Sequence, residues 1–198
     1  KELLFAEKKF ISEGIRVGLT GPIFINSKTN KQYPLIRVNG FKIKKFVNNK
    51  LYNSVSYTIS SGSLIRKEVL IDIGLMNDKL FIDFVDNEWC WRARFHNYDI
   101  IITSKAKMNH LIGDREIKFF GLVLSSHQPI RIYYSIRNTL LTLRIKHFPI
   151  KSSLRAFTIQ FLKFILISVR GPDRLKYLNF GMRGIIDGIK NISGEYKN

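Results

Sequence analysis

The chain has 198 residues, of which 45% are hydrophobic, so it holds enough apolar material for an ordinary core and is not a disordered chain. Its single cysteine excludes an internal disulfide, and a reducing, cytosolic setting is expected. The formal net charge of +18 predicts attraction to polyanions such as nucleic acid, anionic lipid headgroups or a diphosphate, without choosing among them.

The first hundred residues alternate short helical and strand patterns. In chain order the pattern predicts a helix over 1–13, strands over 16–19, 23–25, 41–47 and 54–60, helices over 64–73 and 86–97, and a strand over 98–103. Gly21 and Pro22 separate the first two strands, and residues 75–85 are expected to form an irregular loop that turns Phe81 and Phe84 inward. Strands that alternate with helices indicate an α/β sheet.

The last third of the chain is apolar and basic. From Arg115 onward there are 15 basic and 4 acidic residues, and helices are predicted over 130–146, 152–170 and 174–189. Arg155, Lys163 and Arg170 fall within about 80° of one another around the second helix. The uninterrupted apolar run 164–169 is much shorter than the roughly 20 residues that span a bilayer. We therefore expect an amphipathic helix in the headgroup plane of an anionic membrane, with ordinary packing on the domain as the alternative.

An acidic cluster begins the helix predicted at 86. A carboxylate at Asp86 can act as a general base, and the helix N-terminus favours its ionised form, although a simple capping role is also open. Glu88 and Arg92 stand four residues apart in the orientation that favours an ion pair. Trp89 shares the helix and could stack on a ligand or be part of the core. Cys90 is expected to be a small buried residue.

Three further positions could contact ligands. Ser61 and Gly62 lie at a strand-to-helix turn, where a hydroxyl and an exposed backbone can hydrogen-bond a ligand, unless the serine simply caps the helix. His110 follows a strand end, where a neutral imidazole could ligate a metal or be no more than a polar side chain. Arg137, beside Asn138, could grip a diphosphate with two parallel hydrogen bonds, or form a solvated or membrane-facing stripe with Arg144.

The strings that carry these residues resemble family 2 of the inverting, nucleotide-sugar-dependent glycosyltransferases, and among them the rhamnosyltransferases of bacterial surface polysaccharides such as O-antigen. They are Asp83-Phe-Val-Asp86-Asn-Glu88-Trp89-Cys-Trp-Arg92, Met108-Asn-His110-Leu-Ile-Gly-Asp114 and Tyr133-Tyr134-Ser-Ile-Arg137-Asn138. The resemblance covers residues 16–146 and is most specific between Thr58 and Asp114.

The resemblance implies the C-terminal, acceptor-side half of a GT-A α/β domain over residues 1–128, followed by a basic, helical, membrane-associated region over 129–198. Asp86 would be the catalytic base and His110 a ligand of a Mg or Mn ion. The substrate contacts would come from Ser61, Gly62, Glu88, Trp89, Arg137 and Asn138. The sequence contains no Asp-x-Asp pair, so the main metal ligands are expected in an N-terminal half that precedes Lys1.

The implied reaction moves a sugar from a nucleotide-diphosphate donor, dTDP-rhamnose, to a lipid-linked saccharide at the cytoplasmic face of the plasma membrane. Two alternatives stay open: this stretch is active by itself, or it is a degenerate remnant without activity. The competing class is a non-enzymatic basic module that binds nucleic acid or membrane. Only the charge supports the nucleic-acid version, because the sequence has no recognition motif and its basic residues are interleaved with long apolar faces.

Overall fold

The computed structural model describes residues 1–47, 50–111, 115–119, 122–126, 128–170 and 173–197. The parts of the sequence motifs that involve Asp114, and the side chain of Arg170 in the predicted cationic face, fall outside that description. The helices are α1 (Glu2–Ser12), α2 (Lys67–Ile73), α3 (Val85–Phe95), α4 (Pro129–Thr142), α5 (Ile150–Arg170) and α6 (Arg174–Ile189). The strands are β1 (Val17–Asn26), β2 (Leu35–Asn39), β3 (Lys42–Phe46), β4 (Tyr52–Val55), β5 (Asp99–His110), β6 (Arg115–Phe119) and β7 (Leu122–Ser126). The predicted α/β class is confirmed.

The chain forms two compact units, and the first contains residues 1–76 and 86–111. Its sheet has the order β1-β5-β4, with β1 parallel and β4 antiparallel to β5. The central strand is buried on both faces, since the neighbouring residues Ile100 and Ile101 point to opposite sides and are both buried. Leu19, Val55 and Trp89 pack in the same core. β2 and β3 form a separate antiparallel hairpin in this unit.

One expectation for this sheet was wrong: Gly21-Pro22 does not divide two strands. β1 is a single strand of ten residues, and its pairing with β5 shifts register between Pro22 and Ile23. Proline has no amide hydrogen for the ladder, so a register irregularity is the place where a paired strand can hold it. A Cβ at Gly21 would lie 2.9 Å from the end of the Ile102 side chain, so a larger residue there would require that side chain to shift.

The segment after β4 differs from the prediction at both of its ends. The strand stops at Val55 instead of continuing to 60, and α2 begins at Lys67 instead of Leu64. Leu64 is held by β1, because its amide donates to the Thr20 carbonyl at 2.8 Å and its carbonyl accepts from the Thr20 amide at 2.9 Å. A long-range bridge therefore replaces the first predicted helical turn.

The second unit contains residues 77–85 and 112–198. It consists of α4, α5 and α6, the hairpin β6-β7 and a short 3-10 helix, Asp78–Leu80. Ile132, Ile136, Phe164 and Ile167 form part of its core. The helices approach closely at Gly184, where a Cβ would lie 2.7 Å from the Tyr133 carbonyl oxygen. The predicted division after residue 128 stays a prediction, but residues 77–85 cluster with the C-terminal helices.

The segment before α3 was predicted to bury Phe81, and this was wrong. The Phe81 side chain is 48% exposed and stacks on Tyr134 with ring centroids 5.1 Å apart. The residue that this segment buries is Leu80, at the end of the 3-10 helix. A 3-10 helix rotates successive side chains by about 120°. When Leu80 points into the core, the next side chain, Phe81, therefore points away from it.

Candidate active site

α3 carries the acidic cluster, and its first turn places Asp86 and Glu88 in different surroundings. Asp86 is half-buried and is the second residue of the helix, one position inside it, so the capping alternative does not describe it. Amide hydrogens in a first helical turn lack carbonyl partners within the helix, and the local dipole there favours an anion. Asp86 is therefore a carboxylate with access to solvent, in a position that stabilises its charge.

Glu88 is 1% exposed and is tied to the protein interior. Arg92 donates to its carboxylate from Nη2 at 3.1 Å, which confirms the predicted ion pair between residues four apart. The same guanidinium donates to the Ile73 carbonyl at 2.8 Å and to the Leu75 carbonyl at 2.7 Å, at the end of α2. In this conformation Glu88 helps to hold α3 against the end of α2 through Arg92. Its carboxylate is not exposed to a substrate.

Trp89 and Cys90 follow Glu88 into the core. The Trp89 ring is fully buried, and its Nε1 donates to the Gly74 carbonyl at 3.0 Å. A ring enclosed in this way has no open face on which a sugar could stack, so the geometry matches the core alternative. Cys90 is buried as predicted, with Sγ 3.7 Å from the Thr58 carbonyl, and burial raises the pKa of its thiol to about 12.

The turn at Ser61 and Gly62 has a backbone that requires glycine. Gly62 has φ +64°, and a Cβ at this position would lie 2.6 Å from the Met108 sulfur on β5. The Ser63 hydroxyl donates to the Ile59 carbonyl, inside the turn. The residue that precedes α2 is Arg66, and no side chain caps the helix, so the alternative of a serine cap was wrong. Ser61 is half-buried and Gly62 exposed, which leaves this backbone accessible.

His110 is the last residue of β5, where the sequence placed it just past the strand. It pairs with Asn26 in the parallel register, and its ring meets Phe24 edge-on, with centroids 5.9 Å apart. The ring is half-buried. Among the residues that the structure describes, no three or more His, Cys, Asp or Glu side chains form a group that could hold a metal. These residues alone do not build a metal centre, and we derive no metal-dependent step from them.

Contacts within the first unit connect α3, the turn and the end of β5. Cys90 on α3 meets Thr58, at the start of the segment that leads into the turn. Gly62, at the tip of that turn, lies against Met108, two residues before His110. The short segment 58–62 therefore contacts the Asp86 helix at one end and the His110 strand at the other. The carboxylate, the glycine turn and the imidazole all belong to elements that pack around this segment.

Arg137 and Asn138 belong to the second unit, and both are 0% exposed. The Arg137 guanidinium donates to the Leu80 carbonyl at 3.0 Å, the Gly194 carbonyl at 2.6 Å and the Tyr133 hydroxyl at 3.3 Å. Burial excludes the solvated stripe that was the alternative for Arg137. The predicted contact to a diphosphate would require these internal hydrogen bonds to be released, so this conformation does not present the guanidinium to a ligand.

Asn138 lies against the segment that precedes α3. Its Nδ2 donates to the carbonyls of Leu80 at 2.8 Å, Ile82 at 2.7 Å and Asp83 at 3.0 Å. Its Oδ1 accepts from Arg137 Nε at 3.0 Å. The amide has two hydrogens, so at least one of them is shared between carbonyls, and the side chain thereby links three carbonyl oxygens of one short segment.

The sequence analysis missed a second set of residues around the same segment. The Asp83 carboxylate accepts from the Ser135 hydroxyl at 2.7 Å and from Arg131, whose Nε is 3.2 Å away and whose Nη2 forms a shorter bond. Arg131, Ser135 and Asn138 are spaced four and three residues apart, which places them on one face of α4. That spacing was visible in the sequence. Their partner was not, because Asp83 lies about fifty positions earlier.

A cavity of about 490 Å³ lies in the second unit, lined by residues of α6 and the C-terminal segment together with Tyr133. The Tyr133 hydroxyl donates to Asp187 at 2.8 Å, and burial, followed by that hydrogen bond, raises the pKa of the tyrosine to about 12. None of the site residues predicted from the sequence lines this cavity.

Comparison with known proteins gives one informative similarity. The chain is 35% identical over 179 residues to the dTDP-rhamnosyl transferase RfbF of Shigella flexneri. The alignment covers 89% of this chain and 60% of the relative, so the chain spans about three fifths of that protein's length. No protein-family model and no solved structure matches the chain. The chain is thus a homologue of part of a glycosyltransferase.

Proposed function

We propose that the chain is the acceptor-side part of an inverting glycosyltransferase that moves rhamnose from dTDP-rhamnose to a lipid-linked saccharide. One observation carries the proposal, namely the 35% identity to a dTDP-rhamnosyl transferase across 89% of the chain. The sequence motifs around Asp86, His110 and Asn138 independently resemble the same class of enzyme. A role in the synthesis of a bacterial surface polysaccharide such as O-antigen is part of the proposal.

In this proposal Asp86 is the general base. The acceptor hydroxyl oxygen forms a bond to the anomeric carbon of the donor sugar, while the bond from that carbon to the diphosphate oxygen breaks and dTDP leaves with the electron pair. The acceptor proton passes to the Asp86 carboxylate. The acceptor oxygen becomes acidic as it bonds to an oxocarbenium-like carbon, so a late proton transfer to a carboxylate suffices. The half-buried position of Asp86 supports this role.

Ser61 and Gly62 would orient the acceptor. The turn exposes the Gly62 backbone and leaves the Ser61 hydroxyl half-buried, and Ser61 is free of the helix-capping role that would occupy it. Such groups can hydrogen-bond a sugar hydroxyl and fix its approach. His110 as a ligand of Mg or Mn stays a prediction, with the principal ligands outside these residues; a bound divalent ion would neutralise charge on the departing diphosphate.

The C-terminal helices support a membrane contact, but with a different face from the one expected. Lys163 of the predicted cationic face is half-buried in a small cavity, lined also by Arg131 and Ser135 of α4. Most of the outward side chains of α5 are apolar instead, with Ile159 and Leu162 each 53% exposed. Outward apolar residues continue along both helices: Ile150, Leu154, Ile165 and Val169 on α5, and Leu175, Leu178, Met182, Ile186 and Ile189 on α6.

Exposed aliphatic side chains along two helices are costly in water, and they are typical of a surface that enters a membrane. By length and composition the stretch Ile150–Val169 could also cross a bilayer, since its mean hydropathy is 1.4 and only 22% of its most apolar window is buried. We favour a helix that lies in the interface at the cytoplasmic face. Its apolar row would enter the acyl region, and the surplus of basic residues would meet anionic headgroups.

The direct test is sugar transfer by the full-length gene product, with dTDP-rhamnose as donor and an undecaprenyl-diphosphate-linked saccharide as acceptor. Release of dTDP coupled to product formation is expected. Asp86→Asn should lower kcat by about 100-fold or more, because a positioned base contributes a factor of that order. Asp78→Asn is the matched control, since it neutralises an exposed carboxylate eight residues earlier. Wild-type turnover by Asp86→Asn would refute the base assignment.

A further inference from the structure

The segment that leads into α3 has a strained backbone. Phe81, Asp83 and Phe84 have φ values of +61°, +63° and +64°, in the left-handed region that side chains other than glycine and asparagine rarely adopt. Three such residues among four consecutive positions would relax into an ordinary conformation unless other contacts prevented it. Strain of this kind persists only where the surrounding structure over-determines the backbone, and it is concentrated at functional sites.

The polar face of α4 supplies those contacts. Asn138 binds the carbonyls of Leu80, Ile82 and Asp83, so its amide spans the strained segment. Arg137 holds the Leu80 carbonyl and supports the Asn138 amide through Oδ1, which fixes the orientation of that side chain. We refer to the side chains of Arg137 and Asn138 as the α4 clasp.

The side chain of the strained segment is held as firmly as its backbone. Arg131 donates to both carboxylate oxygens of Asp83 and Ser135 donates to one of them, and charge-assisted bonds of this kind restrict the side chain. Their hydrogen bonds come from the same helix as the clasp. All of these contacts lie within the second unit, and all of them act on the residues immediately before α3.

We infer that the α4 clasp is a positioning device for Asp86: it holds the strained residues 81–84 in the one conformation that starts α3 where the base is needed. The inference rests on the proposed function, in which Asp86 takes the acceptor proton. The covalent path is short, because Asp86 follows Asp83 by three residues and Phe84 by two. Asn138 and Arg137 touch neither substrate nor reacting atoms, so they are positioning residues and not catalytic ones.

This assignment gives the Arg-Asn pair a function that its burial allows. A contact to diphosphate would need exposed donors, whereas a clasp needs buried ones, and both side chains are 0% exposed. A catalytic group must be held within about 0.5 Å of its productive position, and a displacement of 1 Å can cost two orders of magnitude in rate. Release of the segment should therefore lower the rate of transfer without weakening donor binding.

The test is a double-mutant cycle in the full-length gene product. Asn138→Ala should lower kcat by at least tenfold and leave KM for dTDP-rhamnose within twofold of wild type. The control is Thr139→Ala on the same helix, since the buried Thr139 hydroxyl donates to the Ile136 carbonyl of α4 itself. In an Asp86→Asn background, Asn138→Ala should cost less than threefold more, because the group that it positions is already gone.

Two further measurements test the inference, and the first of them does not require Asn138→Ala to fold. Ser135→Ala removes a single hydrogen bond to Asp83 and should give a smaller loss of kcat, about threefold, with the same lack of additivity. Amide hydrogen exchange should accelerate at residues 81–86 in Asn138→Ala and not in Thr139→Ala.

The outcomes separate the inference from the function on which it rests. Full additivity of Asn138→Ala with a severely impaired Asp86→Asn would overturn the clasp as a positioning device and leave the base assignment standing. Wild-type kcat for Asp86→Asn alone would overturn both. A loss in Asn138→Ala that appears mainly in KM, or equal hydrogen exchange in Asn138→Ala and Thr139→Ala, would also overturn the inference.

Discussion

Arg92 places its Nη2 3.1 Å from the Glu88 carboxylate and, with the same guanidinium, binds the carbonyl oxygens at the end of α2. The ion pair is therefore part of the packing between two helices, in the same unit that carries Asp86. Glu88 is almost fully buried, and Arg92 is a cationic partner that offsets the cost of burying its carboxylate.

Removal of Arg92 should be strongly destabilising. Arg92→Ala leaves a buried carboxylate without its cation and should lower the free energy of unfolding by about 3–5 kcal/mol, measured by urea denaturation. Glu88→Gln keeps the shape and removes the charge, and we expect a smaller loss of about 1–2 kcal/mol. If Arg92→Ala cost no more than Arg16→Ala, which breaks the exposed pair with Asp72, the bracing role would be refuted.

Gly62→Ala should damage the acceptor-side turn for two separate reasons. The backbone at φ +64° is unfavourable for alanine, and the new Cβ would meet the Met108 sulfur at 2.6 Å. We expect a loss of about 1–3 kcal/mol in the free energy of unfolding. Adding Met108→Ala should recover only the part of this loss that comes from the contact with the Met108 sulfur, and not the part that comes from the backbone conformation. Gly14→Ala is the control, since that glycine also has positive φ but has nothing within 4 Å of the added Cβ.

Cys90 should behave as an inert thiol until the protein unfolds. Burial raises its pKa to about 12, against an ordinary value near 8.5, so at pH 8 the thiolate is scarcer than in the unfolded chain by a factor on the order of 1,000. Iodoacetamide labelling should be slower in the native protein by at least that factor, and urea should restore it. Rapid labelling of the folded chain would contradict this.

The same shift sets the sign of a pH effect on stability. The folded pKa lies above the unfolded one, so the folded state holds the thiol proton more tightly. The stability from the neutral thiol is complete below the unfolded pKa of about 8.5 and is lost as the pH rises toward 12. Cys90→Ala should therefore show a shallower decline of unfolding free energy across that alkaline window than the wild type shows. An identical decline in both proteins would rule out Cys90 as the source.

The exposed rows on α5 and α6 predict binding to lipid vesicles. Leu162→Glu should reduce co-sedimentation with phosphatidylglycerol-containing liposomes by about tenfold or more, since a buried leucine side chain accounts for about 1.5–3 kcal/mol and a carboxylate repels anionic lipid. Ile71→Glu is the matched control, because Ile71 is a more exposed aliphatic residue, 73%, in the first unit. Tighter, salt-sensitive retention on a nucleic-acid column would instead favour the basic binding module.

Local regularities made much of the fold predictable. The helical periods of α1, α3 and α6 and the alternation in β3 appear in the sequence, because each reflects neighbours within one or two turns or strand positions. The Glu88–Arg92 pair belongs to the same class, since residues four apart on a helix meet whatever surrounds them. The motifs around Asp86, Ser61 and Gly62 were found for a similar reason: short strings with distinctive chemistry need no knowledge of the fold.

The errors arose where distant residues decide the outcome. Pro22 reads locally as a break, yet β5 pairs along the whole of β1 and absorbs the proline in a register shift. Leu64 reads as the beginning of a helix, yet Thr20 holds it in a bridge. The local sequence suggests that Arg137 is a cation for a phosphate. Its guanidinium instead donates to the carbonyls of Leu80, which precedes it in the chain by 57 residues, and of Gly194, which follows it by 57.

By itself, then, the sequence determined an α/β chain with basic C-terminal helices and with motifs of a sugar transferase, because period, charge and short motifs depend on residues close together along the chain. Only the tertiary structure decided that Asn138 holds the strained residues before Asp86, that Trp89 is enclosed, and that the outward face of α5 is apolar. Those outcomes depend on which polar groups and apolar side chains find partners when the chain packs. The partners are dozens of residues apart in the sequence, so local patterns do not show them.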